Sequence, residues 1–268
     1  MTYEQLNSLE VWRDMPTITL DEMSSIKLMN RVDTKYVISE EYCMELLRRA
    51  VDKYSVQVIG DVRACRYSTL YYDTPDLEMY TVHHNRKLTR QKIRSRTYVE
   101  SGITFIEVKN KTNTGRTKKK RIAIDESYFA CVGKSPEAAA FLSEKANYSP
   151  DVIQPALATI FDRITLVNHA HTERLTIDFN VRFENLRTGQ NLSPGVERMV
   201  IVELKQDGMC YSPMKKIMLD LRVKQLKVSK YCLGVVLTTP EVKKNRFKRK
   251  LRLVNKAIEQ PFPKNNNE

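Results

Sequence analysis

The sequence predicts an α+β protein: a closed antiparallel β-tunnel with a polar interior, covered on the outside by helices. Three observations predict it. Apolar and polar residues alternate with period two in segment after segment, turn residues separate several of these segments, and the polar side of each segment is rich in Lys and Arg. A chain of 268 residues, 41% of them hydrophobic, is long enough to bury a substantial core.

The alternating segments are the predicted strands. They cover Asn30–Ile38, Arg63–Asp73, Arg90–Val99, Thr104–Asn110, Lys118–Ile124, Arg174–Phe183 and Val200–Lys205. The segment Asp162–Val167 is expected to run into the start of another strand. Turn chemistry at Ser101-Gly102, Asn113-Thr114-Gly115 and Thr188-Gly189 supports hairpins between neighbouring strands.

Four helix starts carry a serine that can cap the first turn. Ser39 precedes two glutamates and predicts a helix that extends to about Lys53. Ser135-Pro136 and Ser212-Pro213 place a cap before a proline at the first helical position. Ser149-Pro150 predicts the same for a helix over Asp151–Ile160.

The charge of the chain is unevenly distributed. The formal net charge is +13, and the stretch Lys243–Lys256 holds eight basic residues and no acid, so the remainder carries +5. We therefore expect one domain over residues 1–240 and a basic tail over 241–268. A basic protein favours anionic partners, and composition alone leaves nucleic acid, phosphates and anionic lipid open.

Cysteine usage and hydropathy indicate the compartment. Five cysteines without a CxxC pair favour reduced thiols over zinc ligands or disulfides. No run approaches the roughly 18 apolar residues of a membrane span. We expect a cytoplasmic protein that is soluble or attached peripherally to a membrane.

The strands share one arrangement of side chains. Residues two apart lie on one face of a strand, so Lys92, Arg94 and Arg96 lie together, as do Glu107, Lys109 and Lys111 on the next segment. Such faces can be the solvated exterior of a sheet. They can also line the inside of a barrel whose apolar exterior is covered by helices, and the enclosed cations would then favour a polyanion.

Seven segments in order resemble the VTC domain, the polyphosphate polymerase domain of the vacuolar transporter chaperone complex and a triphosphate tunnel metalloenzyme. They are Arg31–Tyr36, Tyr71–Pro75, Lys92–Tyr98, Phe105–Lys109, Glu173–Asp178, Val202–Lys205 and Lys227–Tyr231. The resemblance covers residues 25–235. It implies a tunnel of eight antiparallel strands, a divalent metal (manganese or magnesium), and transfer of the γ-phosphoryl group of ATP to a growing polyphosphate chain.

The resemblance also implies site residues. The positions that match phosphate-binding cations are Lys35, Arg94, Arg96, Lys109, Arg163, Arg174, Lys227 and Lys230. Lys119 is the best match for a further tunnel lysine, with Lys118 and Lys120 as alternatives. Within this set, Arg94, Arg96, Lys109 and Arg174 are expected to bind the nucleotide together with Ser229. Glu203 resembles the metal ligand, and Glu107 is a second acidic candidate.

Other motifs favour structural roles. His169 and His171 have no further ligand nearby, and Gly115 lacks the spacing of a phosphate-binding P-loop. Tyr67, Tyr71, Tyr72 and Tyr80 are expected in the core. The basic stretch Lys243–Lys256 is expected to be a solvated tail or surface helix, with contact to an anionic membrane or to polyphosphate as the functional alternative.

Four functions remain open at this stage. A polyphosphate polymerase ranks first, followed by a tunnel triphosphatase and a non-catalytic polyphosphate-binding module. A nucleic-acid binder ranks last, because the sequence carries no helix-turn-helix or zinc-finger pattern. ATP or another triphosphate and inorganic polyphosphate are the expected partners, and no specific nucleic acid is expected.

Overall fold

One large sheet organises the chain. The computed structural model describes residues 1–26, 28, 31–192, 196, 198–208 and 210–262. Within these residues the strands are β1 Thr17–Thr19, β2 Arg31–Ile38, β3 Tyr54–Val58, β4 Ala64–Asp73, β5 Arg90–Tyr98, β6 Ile103–Lys111, β7 Thr117–Ile124, β8 Gln154–Asn168, β9 Glu173–Asn185, β10 Gln190–Leu192 and β11 Val200–Asp207. The predicted start of the first long strand, Asn30, lies outside the described residues.

The helices are α1 Tyr3–Asn7, α2 Leu20–Ser25, α3 Glu40–Ala50, α4 Glu78–His84, α5 Pro136–Lys145, α6 Pro213–Asp220, α7 Lys230–Thr238 and α8 Lys248–Glu259. The three predicted serine caps at α3, α5 and α6 are confirmed. The hydroxyls of Ser39, Ser135 and Ser212 each accept a hydrogen bond from a backbone N–H in the first turn.

Eight strands follow one another in the order β2-β11-β9-β8-β4-β5-β6-β7, and each neighbouring pair is antiparallel. The short strands extend this path: β3 pairs with β8 and β1, and β10 pairs with β9. The register shifts in β4 and β8, and such bulges increase the local twist of a strand. The sheet curls into a half-barrel around a cavity.

The predicted closure of the tunnel is wrong. In the described part of the chain, β2 and β7 form the two ends of the sheet path and do not pair with each other. Both edges carry cations, and β7 contains Lys118, Lys119 and Lys120 in a row; charged edge residues oppose pairing with another strand. The edge of β2 is instead covered by the segment before α7, where the Leu226 N–H donates to the Lys35 carbonyl at 2.8 Å.

The helix predicted over Asp151–Ile160 is also wrong, because Gln154–Asn168 form the longest strand of the sheet, β8. Pro155 explains the difference. It has no N–H for a helical hydrogen bond, and it disfavours the helical conformation for Gln154. The serine-proline pair at 149–150 therefore begins a turn that leads into β8.

The apolar side of the sheet faces outward and is covered by helices, as predicted for a polar interior. Helices α3 and α6 pack against β2, β8, β9 and β11 through a cluster that includes Leu46, Met214 and Val202. Helix α5 covers β4, β5 and β6 around Leu142 and Ile106. The charged faces of these strands are therefore on the inner side of the half-barrel.

Helices α7 and α8 fill one end of the half-barrel. Cys232, Leu233 and Val236 of α7 are buried, and α8 packs beside them through Val254 and Ile258. The predicted basic tail thus includes a helix that is part of the packed domain. In the described residues, no helix combines the length and apolar character needed to span a membrane.

Candidate functional site

The half-barrel encloses a cavity of about 920 Å³. Its walls come from the inner faces of β2, β4 to β9 and β11, from the segment before α7, and from α8. Among the described residues, sixteen Lys and Arg side chains line it, against two carboxylates, Asp33 and Glu203. Such an excess of like charge in a partly enclosed space creates a strong positive potential.

The structure brings together the residues predicted for the site. The cavity is lined by Lys35, Arg94, Arg96, Lys109, Lys119, Arg163, Arg174, Glu203, Lys227, Ser229 and Lys230. Glu107 is the exception, because it lies beneath the lining with 1% of its side chain exposed. Of the three adjoining lysines on β7, Lys119 faces the cavity and Lys118 and Lys120 are not in its lining.

Glu107 holds two lining cations. Its Oε2 atom lies 2.6 Å from Nη2 of Arg94, and its Oε1 atom accepts a hydrogen bond from Nζ of Lys119 at 2.9 Å. Burial favours the neutral acid, but the charges of Arg94, Arg96 and Lys119 outweigh it and hold the Glu107 pKa far below its usual value. Glu107 is therefore ionised, and both of its oxygens are engaged by the protein.

Asp178 has the same arrangement on β9. Arg163 donates to its two oxygens at 2.6 and 2.9 Å, and Lys230 donates to Oδ2. Burial again opposes ionisation, yet Arg163 and Lys230 lower the Asp178 pKa well below its usual value. The bidentate contact fixes the guanidinium plane of Arg163 at the cavity wall.

Glu203 differs because it lies in the lining. Its Oε2 atom is 2.9 Å from Nζ of Lys35 and 4.0 Å from Nζ of Lys205. Burial opposes ionisation, but these two lysines keep the Glu203 pKa well below its usual value. The carboxylate is therefore charged and faces the cavity.

Arg96 and Lys109 are among the lining cations that form no ion pair with a carboxylate of the described residues. Arg96 is 6% exposed, donates to the Thr69 hydroxyl at 3.1 Å, and lies over the rings of Tyr67 and Phe161. Burial lowers the Lys109 pKa to about 8, and the nearby cations add to this effect against the attraction of Glu203. A depressed lysine pKa is the expected response to positive charge that is not neutralised.

Two further polar groups belong to residues of the cavity wall. The Thr176 hydroxyl and Nε of Arg174 are buried and make no hydrogen bond to any described residue. Thr176 lies directly opposite Glu203 in the pairing of β9 with β11, so its hydroxyl and the carboxylate share one wall. Oxygen donors of this type suit a hard divalent cation, with phosphate oxygens and water as the remaining ligands. In the described residues, no three His, Cys, Asp or Glu side chains cluster as a complete metal site.

Ser229 links the segment before α7 to the sheet. Its hydroxyl accepts a hydrogen bond from Nζ of Lys92 at 2.6 Å and also caps α7 by accepting from the Cys232 N–H. This part of the cavity wall does not come from the sheet, and it is formed by Lys227, Ser229 and Lys230.

Sequence reasoning did not assign some residues of the cavity to the site. Lys92, Lys111 and Lys205 line the cavity, and strand alternation is sufficient to place them on the same faces as Arg94, Lys109 and Glu203. Asp178, which holds Arg163 but is not itself in the lining, shares a strand face with Arg174 in the same way. The position of Lys250 had no signal in the sequence, because it depends on where α8 packs.

The remaining motifs lie as follows. His169 and His171 are exposed, and Gly115 is in the turn between β6 and β7. The expectation that four tyrosines belong to the core is confirmed, since Tyr67, Tyr71, Tyr72 and Tyr80 are all buried. Two of them, Tyr67 and Tyr71, also contact the cavity.

The chain is similar in sequence to one protein family and in structure to several solved proteins. The model of the VTC domain family matches residues 30–239, whereas no curated protein sequence matches the chain. A putative adenylate cyclase from Bacillus halodurans is structurally similar, with a TM-score of 0.49 and 13% identity over 75% of this chain and 96% of that chain. A putative adenylyl cyclase from Hippeastrum, described as having a dominant triphosphatase activity, has a TM-score of 0.48 and 13% identity over 78% of this chain and 96% of its own.

These two structural likenesses have TM-scores below 0.5, and we draw no conclusion from them. The family match covers most of the chain and agrees with the seven segments and with the cationic cavity. The chain belongs to the VTC domain family.

Proposed function

We propose that the protein is a polyphosphate polymerase-like phosphotransferase that uses ATP and a divalent metal. The observation that carries the proposal is that, in the described part of the chain, sixteen cationic side chains converge on one cavity that two carboxylates line. A chain of phosphates is the ligand that neutralises such a surface along its length.

In the proposed reaction the terminal oxygen of a polyphosphate chain attacks the γ-phosphorus of ATP. A new P–O bond forms, the bond between the γ-phosphorus and the β,γ-bridging oxygen breaks, and ADP leaves with that oxygen. Reactions of this class depend on alignment and charge neutralisation, so no protein nucleophile is required. Arg94 and Arg163, each held by a buried carboxylate, are suited to fix phosphate oxygens in place.

We assign metal binding to Glu203, supported by its ionised carboxylate at the cavity wall and by the Thr176 hydroxyl opposite it, which makes no hydrogen bond to a described residue. A bound manganese or magnesium ion would neutralise phosphate oxygens as a Lewis acid. Glu107 is less suited to this role, because Arg94 and Lys119 occupy its two oxygens. We assign it instead to holding these cations.

We also propose a cytoplasmic location, with α8 as the surface for any contact with an anionic membrane. Val254 and Ile258 pack inside the domain, so they are not available to insert into a bilayer. Such a contact would be electrostatic and sensitive to salt.

One assay tests the proposed reaction. The pure protein is incubated with ATP and manganese or magnesium, and long-chain polyphosphate, free phosphate and ADP are quantified. We expect ADP and polyphosphate in step. If free phosphate forms without polyphosphate, the protein is a triphosphatase. If polyphosphate binds tightly without turnover, the protein is a non-catalytic binding module.

The variant Glu203→Gln separates metal binding from phosphate binding. We expect turnover to be lost while the affinity for tripolyphosphate in the absence of metal is retained. Lys120→Gln serves as the control, because this exposed lysine on β7 is not in the cavity lining. Unchanged turnover in Glu203→Gln would remove the assignment of Glu203.

A further inference from the structure

Asp73 is a buried carboxylate that lies outside the cavity lining, and the proposed reaction does not use it. It is the last residue of β4 and is 0% exposed. Within the described part of the chain, no cation forms an ion pair with it. Burying a carboxylate costs free energy unless hydrogen bonds satisfy it, so the donors that reach Asp73 indicate what it holds in place.

Three of these donors are backbone N–H groups at and before the start of α4. The Oδ1 atom accepts from the Thr74 and Met79 N–H groups, both at 2.8 Å, and Oδ2 accepts from the Tyr80 N–H at 2.9 Å. The residue that precedes the helix, Leu77, has no side-chain oxygen with which to cap it. Asp73 therefore caps α4 from the end of β4.

The fourth donor comes from α7, and it belongs to a residue 158 positions later in the chain. The hydroxyl of Tyr231, in the first turn of α7, donates a hydrogen bond to Oδ2 of Asp73. The Tyr231 ring is buried against the Tyr71 ring, with their centroids 5.0 Å apart. One carboxylate thus joins the end of β4, the start of α4 and the first turn of α7.

The same turn of α7 carries a cation of the cavity. Lys230 directly precedes Tyr231, lines the cavity, and donates through Nζ to Oδ2 of Asp178. Its Nζ atom lies 4.0 Å from the centroid of the Phe161 ring. The place of Lys230 at the wall is therefore set at two points, by Asp178 at the end of the side chain and by Tyr231 next to its backbone.

We propose that Asp73 is a positioning residue, which sets the place of Lys230 at the cavity wall through the hydrogen bond from Tyr231. This inference rests on the proposed function and adds to it a residue that does not touch the ligand. A misplacement of about 1 Å is enough to weaken a phosphate contact, because hydrogen bonds depend steeply on distance and angle. A hydrogen bond outside the cavity can thereby control affinity inside it.

The test is a double-mutant cycle on the full chain, with tripolyphosphate titrated in the absence of ATP and metal. Tyr231→Phe removes the hydroxyl and keeps the ring that packs against Tyr71. We expect it to weaken tripolyphosphate binding by about fivefold while Lys230 is present, which corresponds to one hydrogen bond of ordinary strength. In the Lys230→Gln background the same substitution should change the affinity by less than about twofold, because the group through which it acts is absent.

Asp73→Asn tests the carboxylate itself, because an amide nitrogen cannot accept the hydrogen bonds that one carboxylate oxygen accepts. We expect a loss of affinity at least as large as that of Tyr231→Phe. The matched control is Tyr72→Phe, which removes a buried hydroxyl of β4 that donates to the Phe129 carbonyl at 2.6 Å and does not line the cavity. It should lower the midpoint of thermal unfolding and keep the affinity within about twofold.

A purely structural role for Asp73 predicts a different pattern, in which Tyr231→Phe behaves like Tyr72→Phe and lowers stability alone. That pattern, or a loss of affinity that persists in the Lys230→Gln background, would overturn the inference. If the unmodified chain does not bind tripolyphosphate, the proposed function and the inference both fail. If the cycle gives the expected result but ATP is not turned over, the positioning role is supported and the proposed reaction alone fails. If Asp73→Asn does not fold, the Tyr231→Phe cycle decides.

Discussion

Glu203 in the cavity lining and Glu107 beneath it are predicted to respond differently to the same substitution, Glu→Gln. Glu107 is buried and holds Arg94 and Lys119, whereas Glu203 faces the cavity beside Lys35. Glu107→Gln removes the charge that compensates two cations, and a glutamine amide cannot replace two ion pairs. Glu203→Gln removes a charge from a wall that solvent and ligands can reach.

The size of the effect follows from burial. Removing one partner of a buried ion pair costs about 3–5 kcal/mol when the remaining charge is left desolvated. This applies to Arg94, which is 20% exposed, and not to Lys119, which is 42% exposed and stays solvated. For a protein of this size, about 1 kcal/mol corresponds to a shift of roughly 2–4 °C in the unfolding midpoint, so Glu107→Gln should lower the midpoint by roughly 6–20 °C. The affinity for tripolyphosphate should be retained or increased, because the cavity becomes more positive.

The assays are thermal unfolding and tripolyphosphate titration of the unmodified chain, Glu107→Gln and Glu203→Gln. Added tripolyphosphate should recover part of the stability lost in Glu107→Gln, since a ligand that binds only the folded state stabilises it. A Glu107→Gln protein with unchanged stability and lost metal-dependent turnover would refute the reasoning. It would make Glu107, not Glu203, the ligand of the metal.

Two further predictions concern pH and packing. Burial is the largest cause that lowers the pKa of Lys109 and of Lys205 to about 8, whereas a bound phosphate favours the charged ammonium form of both lysines. Tripolyphosphate affinity should therefore be greatest below pH 8 and should fall as the pH rises through that value. The fall is at most about tenfold per pH unit for each proton that binding takes up. Calorimetric titrations from pH 7 to 9 measure this, and an affinity independent of pH would contradict the lowered lysine pKa values. In α7, a side chain at Gly234 would collide with Leu157 and Phe183, so Gly234→Val should destabilise the fold by about 1–3 kcal/mol. An unchanged midpoint in thermal unfolding would show that α7 does not pack closely against the sheet.

Strand alternation was sufficient to predict the inner faces of β5 and β6. Because side chains alternate strictly, the assignment of Arg94 to one face also assigns Lys92 and Arg96, and Ile93 must then point to the helices outside. The cation-lined interior follows from these faces once helices cover the other side.

The remaining features depend on contacts distant in sequence. The sheet is open because β2 and β7 do not meet, and no local pattern reports whether two strands about eighty residues apart will pair. Helix α8 contributes Lys250 to the cavity lining, and this position depends on Phe247 packing against Tyr80, which lies more than a hundred residues away in the sequence. In β8, a serine-proline signal for a helix was outweighed by Pro155 and by pairing with β4 and β9.

A structure of the protein with tripolyphosphate tests the central claim most directly, because the account requires an anion to be bound inside the half-barrel. The claim predicts phosphate oxygens within hydrogen-bond distance of Arg94, Arg96 and Lys109, on the inner face of β5 and β6. Phosphate bound only on the outer surface, with no phosphate oxygen in contact with these three side chains, would contradict it.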